Sequence, residues 1–428
     1  MKSATLLLGA SPLAAAFPGL MGMGGPVGAS NALNKRTVYP SDRDPAFKSG
    51  KPNTAFPPPP FDYNDQYVST TGDHAWAAPG PSDQRGQCPG LNAAANHGYL
   101  NRNGISSIPN AIQGLGAAYN MAPDLAGFLA ILGVGLAGDP LSDTWSIGGM
   151  YTPSVPLFPA RGIIGTHNKY EGDASIMRGD AYLHGGSPGV LEMHKFINLY
   201  NMGETFGFDE AAKQADYSRQ YSLANNPYYF SAPFSGLVAP AAHNLVINLM
   251  SNHSAEVPGG TLTRATLMSF FSITGDSPDN FVHNRGMERI PDNWYRRPTA
   301  LAHTIPDVLA DLAVMNAQYP GTVSFGGNTG TVNSFAGVDT GNITNGAINS
   351  AQLFQGNNGA CFLLQASLSG LPNAAEPALG AVGSILGWAQ SKLGPTASDL
   401  GCPELSVFDN QIFNPYPGYA FPGTGTDQ

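Results

Sequence analysis

The stretch "GQCPGLNAAANHGYL", residues 86 to 100, decides how this chain is read. Cys88 stands directly before Pro89 and a run of small residues. Proline is at home in the first turn of a helix, which predicts Cys88 at the N-cap of a short helix. The free N–H groups of Gly90, Leu91 and Asn92 would then point at the sulfur, beside the positive end of the helix dipole. Both effects favour the thiolate and predict a lowered thiol pKa. The run "GLNAAANHG" also lets a flat cofactor come close to the helix. Two readings stand at this point: a buried thiol behaving as a small hydrophobe, or a thiolate ligand to a metal.

The rest of the chain frames that choice. With 428 residues and 42% hydrophobic content, it can bury a large core. Gly and Pro number 53 and 36, which implies many turns and long connections. Charged residues are only 12%, far below the usual quarter, and the net charge is −10. With 20 Lys and Arg and no basic stripe, nucleic acid is excluded as a partner. Such a sparsely charged, mildly acidic surface suits a secreted protein that handles apolar small molecules.

Residues 1–16 read as a secretory signal: Lys2, the apolar "LLLGASPLAAA", and small residues at the cleavage point. Residues 17–36, ending in Lys35-Arg36, read as a propeptide, leaving residues 37–428 as one domain. The longest later apolar stretch, "LAGFLAILGVGLAG" from Leu125, is shorter than the ~18 residues of a membrane span, so it predicts a buried helix and no span. Residues 37–85, with "FPPPPF", predict extended chain. Further helices are expected over 106–120, 121–138, 190–203, 210–225, 238–253, 261–275, 305–320 and 374–394. Residues 321–349, rich in Gly, Asn and Thr, predict a surface loop with room for a hairpin. The fold class expected is mainly α, a single large helical domain with few short strands. Three cysteines can form one pair; a bridge from Cys361 to Cys402 would close the C-terminal segment and leave Cys88 over. Asn252 and Asn342 head glycosylation sequons.

"QCPGLNAAANHGYLNRNGIS", residues 87–106, resembles the proximal signature of the fungal haem-thiolate peroxidases, the family of chloroperoxidase and the unspecific aromatic peroxygenases, with Gln87 in place of a proline. "GTHNKYEGDASIMRGDAYLHGG", residues 165–186, is similar to that family's Glu-Gly-Asp segment, and "LSDTWSIGG" and "NWYRRP" also look familial. The Cys361 and Cys402 pair is placed like the C-terminal disulfide of the long peroxygenases. The resemblance implies a chloroperoxidase-type helical fold and haem b with Cys88 as axial ligand. It also implies a magnesium ion at a haem propionate, held by the Glu171 side chain, the Gly172 carbonyl and the Ser175 hydroxyl. Hard oxygen donors of that kind suit Mg²⁺. Asp173 reads locally as a helix N-cap before "ASIMRGDAYL". The implied activity is secreted and extracellular: hydrogen peroxide oxidises or oxygenates a small, apolar or aromatic organic substrate through an oxo-ferryl haem.

One departure matters. The long peroxygenases carry a distal Arg and Glu, whose positions fall here on Tyr228 and Ser235, or with an insertion the Glu falls on Ala242 beside His243. No Asp or Glu occurs between Asp216 and Glu256. Peroxide cleavage needs a nearby proton carrier, and His243 is the local side chain with a suitable pKa. His243 is therefore the candidate distal acid–base, with Tyr228 or Ser235 as hydrogen-bond partners; the alternative is a satisfied core histidine. Tyr229, Phe230 and Phe234 either line the haem channel or are plain core. Two other functions compete: a haem-binding family member with degraded peroxidase activity, and a metal hydrolase using His167 and Glu171 with His184 or His194.

Overall fold

The computed structural model of the chain describes residues 58–153, 160–369, 392, 402 and 408–420. The expected signal and propeptide lie outside the described residues, as does the expected helix over 374–394 except for Lys392. Residues 58–85 run mostly without regular structure, broken by single turns at Tyr63–Gln66 and Gly72–His74.

Helix α1, Pro89–Asn96, begins just after Cys88. A short strand β1, Ile105–Ser107, leads into α2, Ile108–Tyr119, where the Ser107 side chain accepts from the Asn110 N–H and Pro109 sits in the first turn. The second helix stops at Asn120, whose left-handed conformation (φ 52°) ends the run. Helix α3, Pro123–Ala137, is apolar on every face and buried along nearly its whole length, as expected of "LAGFLAILGVGLAG". Strand β2, Thr144–Ser146, pairs antiparallel with β1 and brings Trp145 against α3.

Helix α4, Met193–Tyr200, is followed by β3, Thr205–Phe206, and α5, Phe208–Asn225. Strand β4, Phe230–Ser231, precedes α6, Ser235–Met250. Strand β5, Leu262–Thr263, pairs with β3, and the Thr263 side chain caps α7, Arg264–Phe270. A two-stranded ribbon of β6, Ile273–Thr274, and β7, Val282–His283, comes next. Thr304 and Asp307 form a reciprocal cap on α8, Ile305–Gln318. Residues 321–349 contain the hairpin of β8, Phe325–Gly327, and β9, Ala336–Val338, which joins β4 in a three-stranded sheet. Helix α9, Asn358–Ser369, was not anticipated from the sequence. Its "ACFLLQAS" reads as a short apolar run that periodicity alone cannot assign.

The described residues are thus mainly α, with strands of two or three residues. Helix α2 packs on α3, α5 on α6, and α8 on both α6 and α9. Trp294, Phe196, Phe270 and Phe362 are among the largest fully buried side chains of the core. Cys361, on α9, is bonded to Cys402 across 41 residues. Closing a loop of that size constrains the unfolded chain by about 4 kcal/mol in the chain-entropy picture. Reduction should therefore lower the thermal midpoint by several degrees without unfolding α1–α8 at room temperature; an unchanged midpoint under reductant would show the bond to be dispensable.

Candidate active site

Cys88 is the N-cap of α1, with extended backbone (φ −85°, ψ 110°) and Pro89 in the first turn. The loop before it is held rigidly. Asn92 accepts from the Gly86 N–H at 3.0 Å and donates to the Gly86 carbonyl at 2.8 Å. A Cβ on Gly86 would fall 2.1 Å from the Ile147 carbonyl oxygen, so only glycine fits there. Arg178 donates through Nε to the Gln87 carbonyl at 2.9 Å, and its guanidinium lies 3.5 Å from the buried Glu288 carboxylate. Glu288 in turn accepts from Asn92 at 2.9 Å. On the other side, the Tyr119 hydroxyl donates to the Gly90 carbonyl at 2.7 Å. Asn96 donates to the Gly286 and Glu288 carbonyls, and His97 Nε2 accepts from the Ile290 N–H. The asparagines and histidine of "GLNAAANHG" thus tie α1 to the segment 286–290, a long-range role that local sequence does not reveal.

Cys88 opens onto a cavity of ≈ 230 Å³. Its wall is mostly aliphatic and aromatic, drawn from α2, α3, α6 and α8, and includes Tyr119, Phe128, Leu129, Tyr170, Phe234 and Leu245. Glu171, Gly172 and Ser175 stand on the same wall. The structure therefore brings Cys88, Glu171, Gly172, Ser175 and Phe234 to one cavity.

Other predicted site residues are elsewhere. Tyr228 stacks on Tyr182 at 4.4 Å, and Phe230 is buried among Phe413, Tyr416 and Tyr419; neither lines the cavity. Ser235, at the start of α6, lies against Gly172, where an added Cβ would come 2.9 Å from its Oγ. The α6 residues on the wall are Leu237, Val238, Ala239, Ala241, Ala242, Leu245, Val246, Leu249 and Met250. His243 is absent from that face: it is 1% exposed, with Nδ1 3.0 Å from the Ala239 carbonyl oxygen. Asp173 does not cap a helix, because residues 174–181 form an irregular loop with Ala174 at φ 59°. Its carboxylate instead accepts from the Ala181 and Phe230 N–H groups and from Asn226. Of the residues weighed for a hydrolase, His184 pairs with Glu192 at 3.1 Å and His194 packs on Tyr221 at 4.3 Å. Among the described residues, no group of three or more His, Cys, Asp and Glu is arranged to hold a metal. Asn342 is exposed, whereas Asn252 is half-buried and accepts from the Tyr295 N–H at 2.9 Å.

The electrostatics correct one expectation. Burial pushes the Cys88 thiol above its ordinary pKa, outweighing the Leu91 and Gly90 N–H groups and the Arg178 guanidinium, all of which pull it down. The helix mouth favours the anion, as expected, but the apolar cavity opposes it more strongly. Near Glu171, His167 Nδ1 lies 2.8 Å from Oε2, and Nε2 lies 3.7 Å from Asp173. Burial alone would lower the His167 pKa, but the Asp173 and Glu171 carboxylates overcome it and raise it to about 9. These features suit two implied groups. A cysteine sulfur at a helix mouth, on an apolar cavity wall, suits a haem iron. A carboxylate, a carbonyl and a hydroxyl on that wall suit a hard cation, with Glu171 already shared with His167.

Residues 74–299 match the family described as Peroxidase, family 2. The dothistromin biosynthesis peroxidase of Dothistroma septosporum is 42% identical over 372 residues, covering 84% of this chain and 88% of that protein. An aromatic peroxidase of Fusarium equiseti is 36% identical over 383 residues, covering 84% and 86%. An aromatic peroxygenase of Cyclocybe aegerita is 27% identical over 287 residues, covering 65% and 70%. The chain belongs to peroxidase family 2, the fungal haem-thiolate peroxidases. It is an oxidoreductase acting with hydrogen peroxide, and the family implies a haem iron.

Burial of His243 has a measurable consequence. It drives the pKa down to about 4, so the native protein keeps this ring neutral. As pH falls from the ordinary value near 6.5 toward 4, the unfolded chain takes up a proton that the native chain refuses. The stability contribution is full above that ordinary value and is lost as pH falls through this window. Between pH 7 and pH 4.5, urea unfolding of the native protein should show a loss larger by about 2–3 kcal/mol than that of His243→Leu. Equal losses would mean that His243 is solvated.

Proposed function

We propose that the protein is a haem-thiolate peroxidase or peroxygenase of the chloroperoxidase type. In this reading it spends hydrogen peroxide on oxidising or oxygenating a small apolar or aromatic substrate, with Cys88 as the axial ligand of haem b. The observation that carries the reading is a lone cysteine, at a helix mouth, on the wall of an apolar cavity. Bound haem would supply the redox chemistry of peroxide cleavage, with the thiolate's electron donation assisting it. Ligation would offset the burial penalty on the thiolate, since a bound metal cation stabilises the anionic sulfur. The hydrogen bonds of Asn92, Arg178 and Tyr119 hold the sulfur's loop in register against the cavity. Glu171, Gly172 and Ser175 would hold a magnesium ion beside a propionate.

The cavity wall also bears on the substrate. Phe128, Phe234 and Tyr170 meet edge to face, with centroids 6.3 and 6.0 Å apart, and present ring surfaces suited to an aromatic guest. The α6 side of the cavity carries no titratable side chain. The carboxylate on the wall is Glu171, bonded through Oε2 to His167 Nδ1, which orients it toward the implied cation. In this reading the leader-like residues 1–16 direct the protein to secretion.

Three variants test the reading through peroxide-dependent oxidation of naphthalene. Cys88→Ala should abolish turnover. His167→Gln, which removes the partner that orients Glu171, should lower turnover several-fold, and His243→Ala should leave it near the native value. Full activity in Cys88→Ala would overturn the ligand assignment, and a large loss in His243→Ala would restore that residue to the proton path. A haem-loaded native protein with no turnover would favour the binding-only alternative.

A further inference from the structure

Two groups of aromatic rings, one at the cavity wall and one at the surface, are joined by the peptide bond between Trp294 and Tyr295. Tyr119 is on the cavity wall, its hydroxyl fixed on the Gly90 carbonyl two residues from Cys88. Its ring centroid lies 6.0 Å from that of Trp294, edge to face, and Phe270 packs against both at 6.1 and 5.7 Å. Trp294 is 1% exposed, and its Nε1 donates to the carbonyl of Met250, another cavity residue. The next residue in the chain, Tyr295, contacts Tyr63 and Tyr67, each at 6.1 Å. Tyr63 and Tyr67 stack at 4.9 Å, and Tyr63 is 52% exposed. The strand-like bridge between Tyr67 and Tyr295, with Phe61 edge-on at 5.0 Å, holds this surface cluster together. Core packing explains Trp294 and Phe270; it does not explain three tyrosines in mutual contact that end in solvent.

We propose that Tyr119, Trp294, Tyr295, Tyr67 and Tyr63 form an electron path by which phenols too large for the cavity are oxidised at the protein surface. The proposal rests on the peroxidase reading of the cavity, which supplies the oxidant. Hydrogen peroxide takes up two electrons and two protons, its O–O bond breaks, and it leaves as two waters. Each of two phenols gives up one electron and one proton and leaves as a phenoxyl radical. Trp294 passes its electron inward past the Tyr119 ring while keeping its N–H on Met250. A surface tyrosine refills Trp294 and releases its phenolic proton to water. That tyrosyl radical is then restored by the electron and proton of the donor phenol. Electron transfer falls off steeply with distance, so the ring contacts within each group and the covalent link between Trp294 and Tyr295 make the favoured route. Tyr and Trp are the side chains of that route which oxidise readily, and Phe270 serves as packing.

The test uses haem-loaded full chain with hydrogen peroxide and a nitroso spin trap, the adducts being located by peptide mass spectrometry. Turnover of a guaiacyl phenol coupled to dextran is measured beside that of naphthalene. Adducts are expected on Tyr63, Tyr67 or Tyr295. The triple variant Tyr63→Phe, Tyr67→Phe, Tyr295→Phe should lose both those adducts and oxidation of the dextran conjugate. Trp294→Phe should lose them as well while the surface tyrosines remain. Naphthalene oxidation with no adduct on the cluster, or full oxidation of the conjugate by the triple variant, would overturn the route. Failure to oxidise naphthalene at all would overturn the cavity reading and the route with it.

Discussion

The structure turns on how one sulfur is held. Cys88 sits at the mouth of α1, and four separate parts of the chain fix the loop that carries it: Gly86 against Ile147, Asn92 across the turn, Arg178 on Gln87, and Tyr119 on Gly90. Arg178 and Glu288 are both buried, and removing one partner of such a pair typically costs about 3–5 kcal/mol because the other charge is stranded. That expense makes sense where a side chain must be placed to within fractions of an ångström. It also explains why the segments 86–100, 165–186 and 286–297, far apart in sequence, meet at one place.

The cavity imposes an opposing demand. Its apolar wall suits an apolar guest, and it disfavours any unpaired charge, the Cys88 thiolate included. Burial likewise keeps His243 neutral, off the cavity wall. Charge is gathered instead at one edge, where Glu171, His167 and Asp173 lie together, and Asn226 links Asp173 to Asp180. The chamber is thus apolar over most of its wall and charged at one rim.

Much of this was legible beforehand, for local reasons. Pro89, Pro109 and Pro123 mark helix starts, and the all-round apolar character of 125–138 marks a buried helix. The proximal and Glu-Gly-Asp blocks placed Cys88, Glu171, Gly172 and Ser175, which share a cavity wall. What escaped was non-local. Asn92 and Asn96 looked like ordinary helix residues until Glu288 and Gly286 came beside them. The facing of His243 depended on the rotation of α6, which its nearly all-apolar sequence leaves undetermined, since Val238, Ala242 and Leu245 serve the cavity while their neighbours serve the core. The raised thiol pKa is not legible in sequence, because helix-end effects show there whereas desolvation by a cavity does not.

The central claim is that the Cys88 sulfur, deprotonated, is the axial ligand of a haem in this cavity. The most direct measurement is the visible spectrum of the reduced, carbon monoxide-bound protein. A strongly red-shifted main band that disappears in Cys88→His is the predicted result. A main band at the unshifted position of nitrogen-ligated haem in the native protein, or a red-shifted band that survives in Cys88→His, would contradict the account.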